Sequence, residues 1–135
     1  TSGIPVAMAA AAPMLVPMVY AKKHKSGNLS GDLYTTVVHS YTHNTDYNIV
    51  VSKDYIQPGD NLLLVDDFLA NGKALEGLID IAAQAGAKIT GASCAIEKGF
   101  QGGGDKLRAA GVNLHSLAII ESAEPGNIVF REEEA

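Results

Sequence analysis

Between residues 61 and 86 the chain passes from an unbroken apolar run at 62–65, through two carboxylates, to a helical repeat of apolar positions. The run is short enough for a strand buried on both faces, as in the middle of a parallel sheet, and Asp66 and Asp67 are expected to end it. From Lys73 onward Leu75, Leu78, Ile79 and Ala82 recur at helical spacing with Glu76, Asp80 and Gln84 between them. This predicts a helix over 73–85, stopped by Gly86. The alternation continues downstream. Residues 88–96 predict a second buried strand with Glu97 and Lys98 at its carboxyl end, 105–110 a short helix ended by Gly111, and 112–120 and 126–130 two further strands. Strand and helix in turn predict an α/β fold, an open and mostly parallel sheet with helices on both faces.

Upstream, Gly3 and residues 4–12 read as a helix with Pro5 in its first turn, apolar nearly all round and therefore buried. Residues 14–21 read as a strand that ends in the basic run Lys22-Lys-His-Lys25. Residues 26–32 are loop formers with little to bury, which predicts a mobile segment. The β-branched and aromatic stretches 34–41 and 47–51 predict an antiparallel hairpin joined across 43–46.

Length and charge narrow the picture. With 135 residues the chain is expected to form one domain with its own core. A net charge of −5 argues against nucleic acid as the main partner. Cys94 is the only cysteine, so no intrachain disulfide forms and a reducing cytoplasm is the expected setting. No charged residue occurs over 4–21, but Pro5, Pro13 and Pro17 divide that stretch and alanine contributes little to insertion, so no membrane span is expected. A basic lead-in typical of signal peptides does not precede it. Arg131 and the glutamates after it read as a solvated tail.

The chemistry concentrates where the first buried strand meets its helix. Open α/β sheets bind ligands at the carboxyl ends of parallel strands, and backbone N–H groups at a helix N-terminus suit a phosphate. Adjacent carboxylates at a buried strand end repel each other and lose hydration, a cost tolerated for a cation or polyhydroxyl ligand; the alternative is a structural turn with two solvated acids. A Walker A loop would need Gly in place of Asp67 and Ser or Thr in place of Ala74. The basic run 22–25 reads as an anion clamp or as a solvated turn. The glycine loop 99–104 lacks the full dinucleotide fingerprint and reads as a flexible turn or a second phosphate site. His39 and His43 are four apart, yet with no acidic or cysteine partner in the segment they predict no metal site.

The segment Val65-Asp66-Asp67-Phe68-Leu69-Ala70-Asn71-Gly72-Lys73 resembles the phosphoribosyl pyrophosphate signature of type I phosphoribosyltransferases. With Ile96-Glu97-Lys98-Gly99-Phe100-Gln101 downstream, it is similar to the xanthine branch of that family over nearly the whole chain. The resemblance implies transfer of a phosphoribosyl group from phosphoribosyl pyrophosphate to a 6-oxopurine, with xanthosine monophosphate and pyrophosphate as products. Asp66 and Asp67 would stabilise positive charge on the ribose, as in glycoside chemistry. Ala70, Asn71, Gly72, Lys73 and Ala74 would hold the 5′-phosphate. Ser2 and Gly3 resemble the small-residue loop that receives the pyrophosphate, and Lys23 is the first choice among the basic residues to touch it. The 26–32 segment matches the family's catalytic flap. Lys98 would meet an exocyclic oxygen of the purine and Phe100 would stack on it, flank it or merely pack.

Magnesium is expected to arrive on the pyrophosphate and not in a protein cage, and a homodimer is implied. By the same resemblance a first core strand and a hood segment precede Thr1, so the chain is expected to be N-terminally incomplete. One departure concerns Ala70, where the hypoxanthine and guanine branch carries an acid. Adenine enzymes also have Ala there, which keeps adenine as the runner-up base. A non-catalytic sensor of phosphoribosyl pyrophosphate that regulates purine genes would keep the same loop.

Overall fold

The computed structural model describes residues 2–24, 31–40 and 44–132. The chain runs α1 (Gly3–Met14), β1 (Lys22–His24), β2 (Leu33–Ser40), β3 (Thr45–Ser52), β4 (Asn61–Leu69), α2 (Lys73–Ala85), β5 (Lys88–Lys98), α3 (Gly103–Ala109), β6 (Leu114–Glu124) and β7 (Asn127–Phe130). One sheet has the order β4-β5-β6-β7, its first three strands parallel and β7 antiparallel on β6. A second, antiparallel sheet has the order β1-β3-β2, the expected hairpin supplying β2 and β3 with β3 in the middle.

Helix α2 joins the two sheets. Leu75 packs with Leu64, Leu69, Ala92, Cys94 and Leu114 of the parallel sheet and with Leu107 of α3. About two to three turns further on, Ile81 and Ala85 pack with Val38, Ile49, Val51 and Ile56. The apolar stripe of α2 is therefore wide enough to serve two cores. Gly77 lets the hairpin close on it: a Cβ there would meet Val38 Cγ2 at 2.8 Å and Ile49 Cδ1 at 2.9 Å. Gly86 ends the helix in the left-handed region, with φ 69°, as its position after the apolar repeat predicts.

Four expectations need correction. Asp66 and Asp67 do not end the strand, because the ladder to β5 continues through Asp66 opposite Cys94, Phe68 opposite Ile96 and Leu69 opposite Glu97. Residues 14–21 do not form a strand. Met14 closes α1, Leu15 turns left-handed at φ 52°, and the N–H groups of Leu15 and Val16 return to the Ala12 and Ala11 carbonyls. Pairing begins only at Lys22, against Val50 of β3, so the first three residues of the basic run are strand, not turn. Helix α1 is not buried all round: its main packing is one-sided, against β4, which buries Ala11 and leaves Met8 and Met14 about half exposed, at 49% and 58%. Finally, Arg131 is not a free, solvated tail residue. Strand β7 returns it to the sheet, where its N–H donates to the Ile119 carbonyl at 2.8 Å and its guanidinium binds Glu121 and Asp105.

Among the described residues, no helix is long and apolar enough to cross a membrane.

Candidate active site at the carboxyl end of strand β4

The turn between β4 and α2 is built around Gly72, whose φ of 84° lies in the left-handed region that side chains rarely adopt. Helix α2 starts from it, with the Glu76 N–H donating to the Gly72 carbonyl at 2.9 Å. No side chain at the N-cap position satisfies the helix end, but Asn71 Oδ1 accepts from the Lys73 N–H at 3.1 Å. The Lys73 ammonium forms an ion pair with Glu76 at 2.8 Å, and Lys106 of α3 binds the same carboxylate at 3.0 Å. Lys73, then Lys106, hold the Glu76 carboxyl below its usual range against the opposing effect of burial.

The two aspartates are not equivalent. Burial pushes Asp66 from 3.8 up to about 6, helped by its hydrogen bond to the Asp67 side chain and by the Asp67 charge. The Asp67 N–H, which donates to Asp66 Oδ1 at 3.0 Å, and the positive charge of Lys23 work the other way. Burial would also lift Asp67, but the Ser2 side chain, the Phe68 N–H and the bond from Asp66 outweigh it and leave Asp67 below the ordinary value. Of the two carboxyls, Asp66 is the one whose affinity for a proton is raised and Asp67 the one whose affinity is lowered.

Ser2 and Gly3 reach this pair from the start of α1. A Cβ on Gly3 would lie 3.2 Å from Asp66 Oδ1, so the glycine allows close approach of backbone to carboxylate. Lys23 lies across the site with its ammonium 4.6 Å from the Tyr47 ring centre. A cavity of about 780 Å³ brings together Ser2, Gly3, Lys23, Asp66, Asp67 and the whole of Ala70, Asn71, Gly72, Lys73 and Ala74. Residues widely separated in sequence thus share one concave surface of a size that suits a small polar ligand.

Lys98 and Phe100 do not line that cavity. Lys98 ends β5, and its ammonium stands 5.7 Å from the ring centre of Phe68, which does line it. Phe100 occupies a single 3-10 turn, Gly99–Gln101, and is half exposed. Phe68 thus joins the cavity lining without having been expected there, although an aromatic side chain directly after paired acids is a usable signal. The glycine loop offers no separate N–H cradle at Gly103, whose N–H donates to the Ala70 carbonyl at 3.2 Å.

Also missed was Glu97, fully buried and bound by Arg108 and Ser116. Burial alone would lift its carboxyl, but Arg108 and Ser116 together hold it below the usual range. Nothing in the local sequence distinguishes it from a solvated strand end. Cys94 is buried as expected, its thiol raised by burial and bonded to the Ser116 hydroxyl at 3.2 Å.

His39 does have an acidic partner, since strand register sets it opposite Asp46 and the two side chains meet at 2.6 Å. His43, Lys25 and the flap segment 26–30 lie outside the described residues. Among the described residues no group of three or more His, Cys, Asp or Glu side chains converges to hold a metal. The two aspartates offer oxygen donors that fit a hard cation carried by a phosphate ligand, with water completing its shell.

No protein-family model matches the chain. Curated relatives do. The chain is 55% identical over 133 residues to the xanthine phosphoribosyltransferase of Bifidobacterium longum (strain NCC 2705), covering 96% of this chain and 69% of that protein. It is 50% identical over 134 residues to the xanthine phosphoribosyltransferase of Alkaliphilus metalliredigens (strain QYMF), covering 99% of this chain and 66% of that one. It thus spans roughly two thirds of these relatives. Among solved structures, adenine phosphoribosyltransferase from Rhodothermus marinus superposes with a TM-score of 0.76 at 24% identity, over 89% of this chain and 65% of that one. The Giardia lamblia enzyme complexed with 9-deazaadenine gives 0.77 at 27% identity, over 91% of this chain and 67% of that one.

Proposed function

The chain belongs to the xanthine phosphoribosyltransferase family, and from that premise we infer that its site serves purine salvage, transferring the 5-phosphoribosyl group of phosphoribosyl pyrophosphate to xanthine. The observation that carries this reading is the meeting, in one cavity, of the Asp66–Asp67 pair with the left-handed turn at the start of α2. A donor bound there would have its 5′-phosphate on the 71–73 turn, taking the Lys73 N–H over from Asn71 Oδ1, a fixed handle whose binding energy orients the reacting carbon. The ribose hydroxyls would face the aspartates. A purine nitrogen attacks the anomeric carbon while the bond to pyrophosphate breaks, its electron pair leaving with the pyrophosphate.

The sugar carbon becomes oxocarbenium-like on the way, and an ionised Asp67 beside it stabilises the developing charge. Ser2, Gly3 and Lys23 would receive the pyrophosphate. Magnesium carried on the pyrophosphate would supply charge neutralisation, and Asp66 and Asp67 are the residues that would offer it oxygen donors. Lys98 would bind a purine oxygen with Phe68 beneath its ammonium, and Phe100 would flank the base. No acid stands at Ala70 to take the purine proton, which suits xanthine, a stronger acid than hypoxanthine that can react as its anion. We place the enzyme in the cytoplasm as a homodimer; on β7, Ile128 and Phe130 are exposed on one face of the strand and offer apolar surface for a second copy.

The test is a set of initial rates with four bases at fixed donor concentration, using the full-length enzyme. Xanthine should exceed guanine and hypoxanthine, with adenine poorest, because an exocyclic amine facing Lys98, half-buried in the free chain, leaves its ammonium without an acceptor once the base covers it, a loss of roughly 1 to 3 kcal/mol. Lys98→Met should flatten the order while donor affinity is kept. Adenine as best substrate, or an unchanged xanthine preference in Lys98→Met, would overturn the role of Lys98.

A further inference from the structure

The ion pair between buried Glu97 and partly exposed Arg108 lies next to the phosphate turn, and neither residue lines the cavity. Glu97 is fully buried at the end of β5, in register with Leu69, the last residue of β4. Its carboxylate accepts from Arg108 Nη1 at 2.9 Å, from Arg108 Nη2 at 2.6 Å and from Ser116 Oγ at 2.5 Å. Arg108 Nε also donates to the Leu114 carbonyl at 3.3 Å. A buried ion pair is a weak source of net stability, since apolar residues of similar volume often do as well. It does fix direction, because a bidentate guanidinium binds in one plane.

The element held in this way is α3, and its first turn is wedged between the carboxylate and the phosphate turn. A Cβ on Gly104 would lie 2.0 Å from Glu97 Oε1, and one on Gly103 would lie 2.4 Å from the Ala70 carbonyl oxygen and 2.5 Å from the Gly72 nitrogen. The contact is therefore backbone on backbone, and the Gly103 N–H holds the Ala70 carbonyl at 3.2 Å. Fixing that carbonyl fixes the plane of the 70–71 peptide and so the direction of the Asn71 N–H. The Lys106 bond to Glu76 ties α3 to the first turn of α2 on the other side.

We propose that Glu97, Arg108 and Gly103 are positioning residues: the buried ion pair locks the start of α3 against the 70–72 turn and sets the backbone N–H groups for a sugar phosphate. This rests on the phosphoribosyl reading of that turn. A loosened lock weakens the grip on the donor and not on the base.

The experiment compares wild type, Arg108→Lys, Arg108→Gln and Gly103→Ala in the full-length enzyme. Ribose 5-phosphate binding is measured by calorimetry, KM for phosphoribosyl pyrophosphate and for xanthine separately, and folding by thermal unfolding. In Gly103→Ala, and more mildly in Arg108→Lys, the Kd for ribose 5-phosphate and the KM for the donor should rise roughly five- to twentyfold, while KM for xanthine stays within about twofold. Arg108→Lys, which keeps the charge but not the fork, should restore part of what Arg108→Gln loses. If Gly103→Ala fails to fold, Arg108→Lys decides. An unchanged Kd in folded Arg108→Lys overturns the proposal, as does an equal rise in both KM values with a lowered Tm, which marks a merely structural pair. A wild type that neither binds ribose 5-phosphate nor turns over would instead overturn the phosphoribosyl reading itself.

Discussion

The unequal aspartates have consequences in two separate measurements. Asp66 titrates near 6 in the folded chain and near 3.8 when unfolded, so the native state holds its proton more tightly. Its contribution to stability is complete below the unfolded value and is lost as pH rises through 6. At pH 8 the ionised carboxylate therefore opposes the fold. Asp66→Asn keeps an acceptor for the Asp67 N–H and removes that charge. It should be more stable than wild type at pH 8 by about 1–3 kcal/mol, with the gap closing toward pH 4, as followed by chemical denaturation across pH. Catalysis should move oppositely. Turnover should fall as pH drops through 6, and Asp67→Asn should lose about 1.5–3 kcal/mol in kcat/KM, roughly tenfold to over a hundredfold, with its fold intact. Full turnover in folded Asp67→Asn would remove that carboxylate from the mechanism.

Among elements, α2 carries two tasks: its first turn frames the proposed phosphate site and its later turns hold the hairpin sheet against the parallel one. The second task depends on Gly77. Alanine would gain about 0.5–1 kcal/mol of helix propensity at that position. Against this, its methyl would overlap Val38 Cγ2 and Ile49 Cδ1, with Thr36 Cγ2 at 3.3 Å, and overpacking of this kind costs about 1–3 kcal/mol. Val38 is β-branched and has little rotamer freedom to retreat. Gly77→Ala should therefore be destabilising on balance, which a lower midpoint in urea would register and an unchanged or higher midpoint would contradict. The limits of α2 were readable in advance because a helical repeat and a stop glycine are local signals. Those of β4 were not, because the strand continues through its aspartates only where β5 lies alongside.

At the scale of the whole molecule, magnesium is proposed to reach the site on its pyrophosphate ligand and not in a preformed cage. Chelation with EDTA should then abolish turnover yet leave the melting temperature of the ligand-free enzyme within about a degree, since a metal that binds only with the ligand adds no stability without it. A melting temperature that falls with EDTA would mean a resident metal. What the sequence alone determined were the features encoded by near neighbours: the α/β alternation, the span of α2, the glycine turn at 72, and the position of Lys98 at the end of β5. Each follows from side-chain period, backbone freedom or the position of charge beside an apolar run. Only the tertiary structure decided that residues 14–21 leave no ladder, that Lys98 stands over Phe68, that Glu97 is a buried partner of Arg108 and that Arg131 returns to Asp105. These outcomes depend on which surfaces come together after folding, and a carboxylate at a strand end reads the same along the chain whether water or a guanidinium finally meets it.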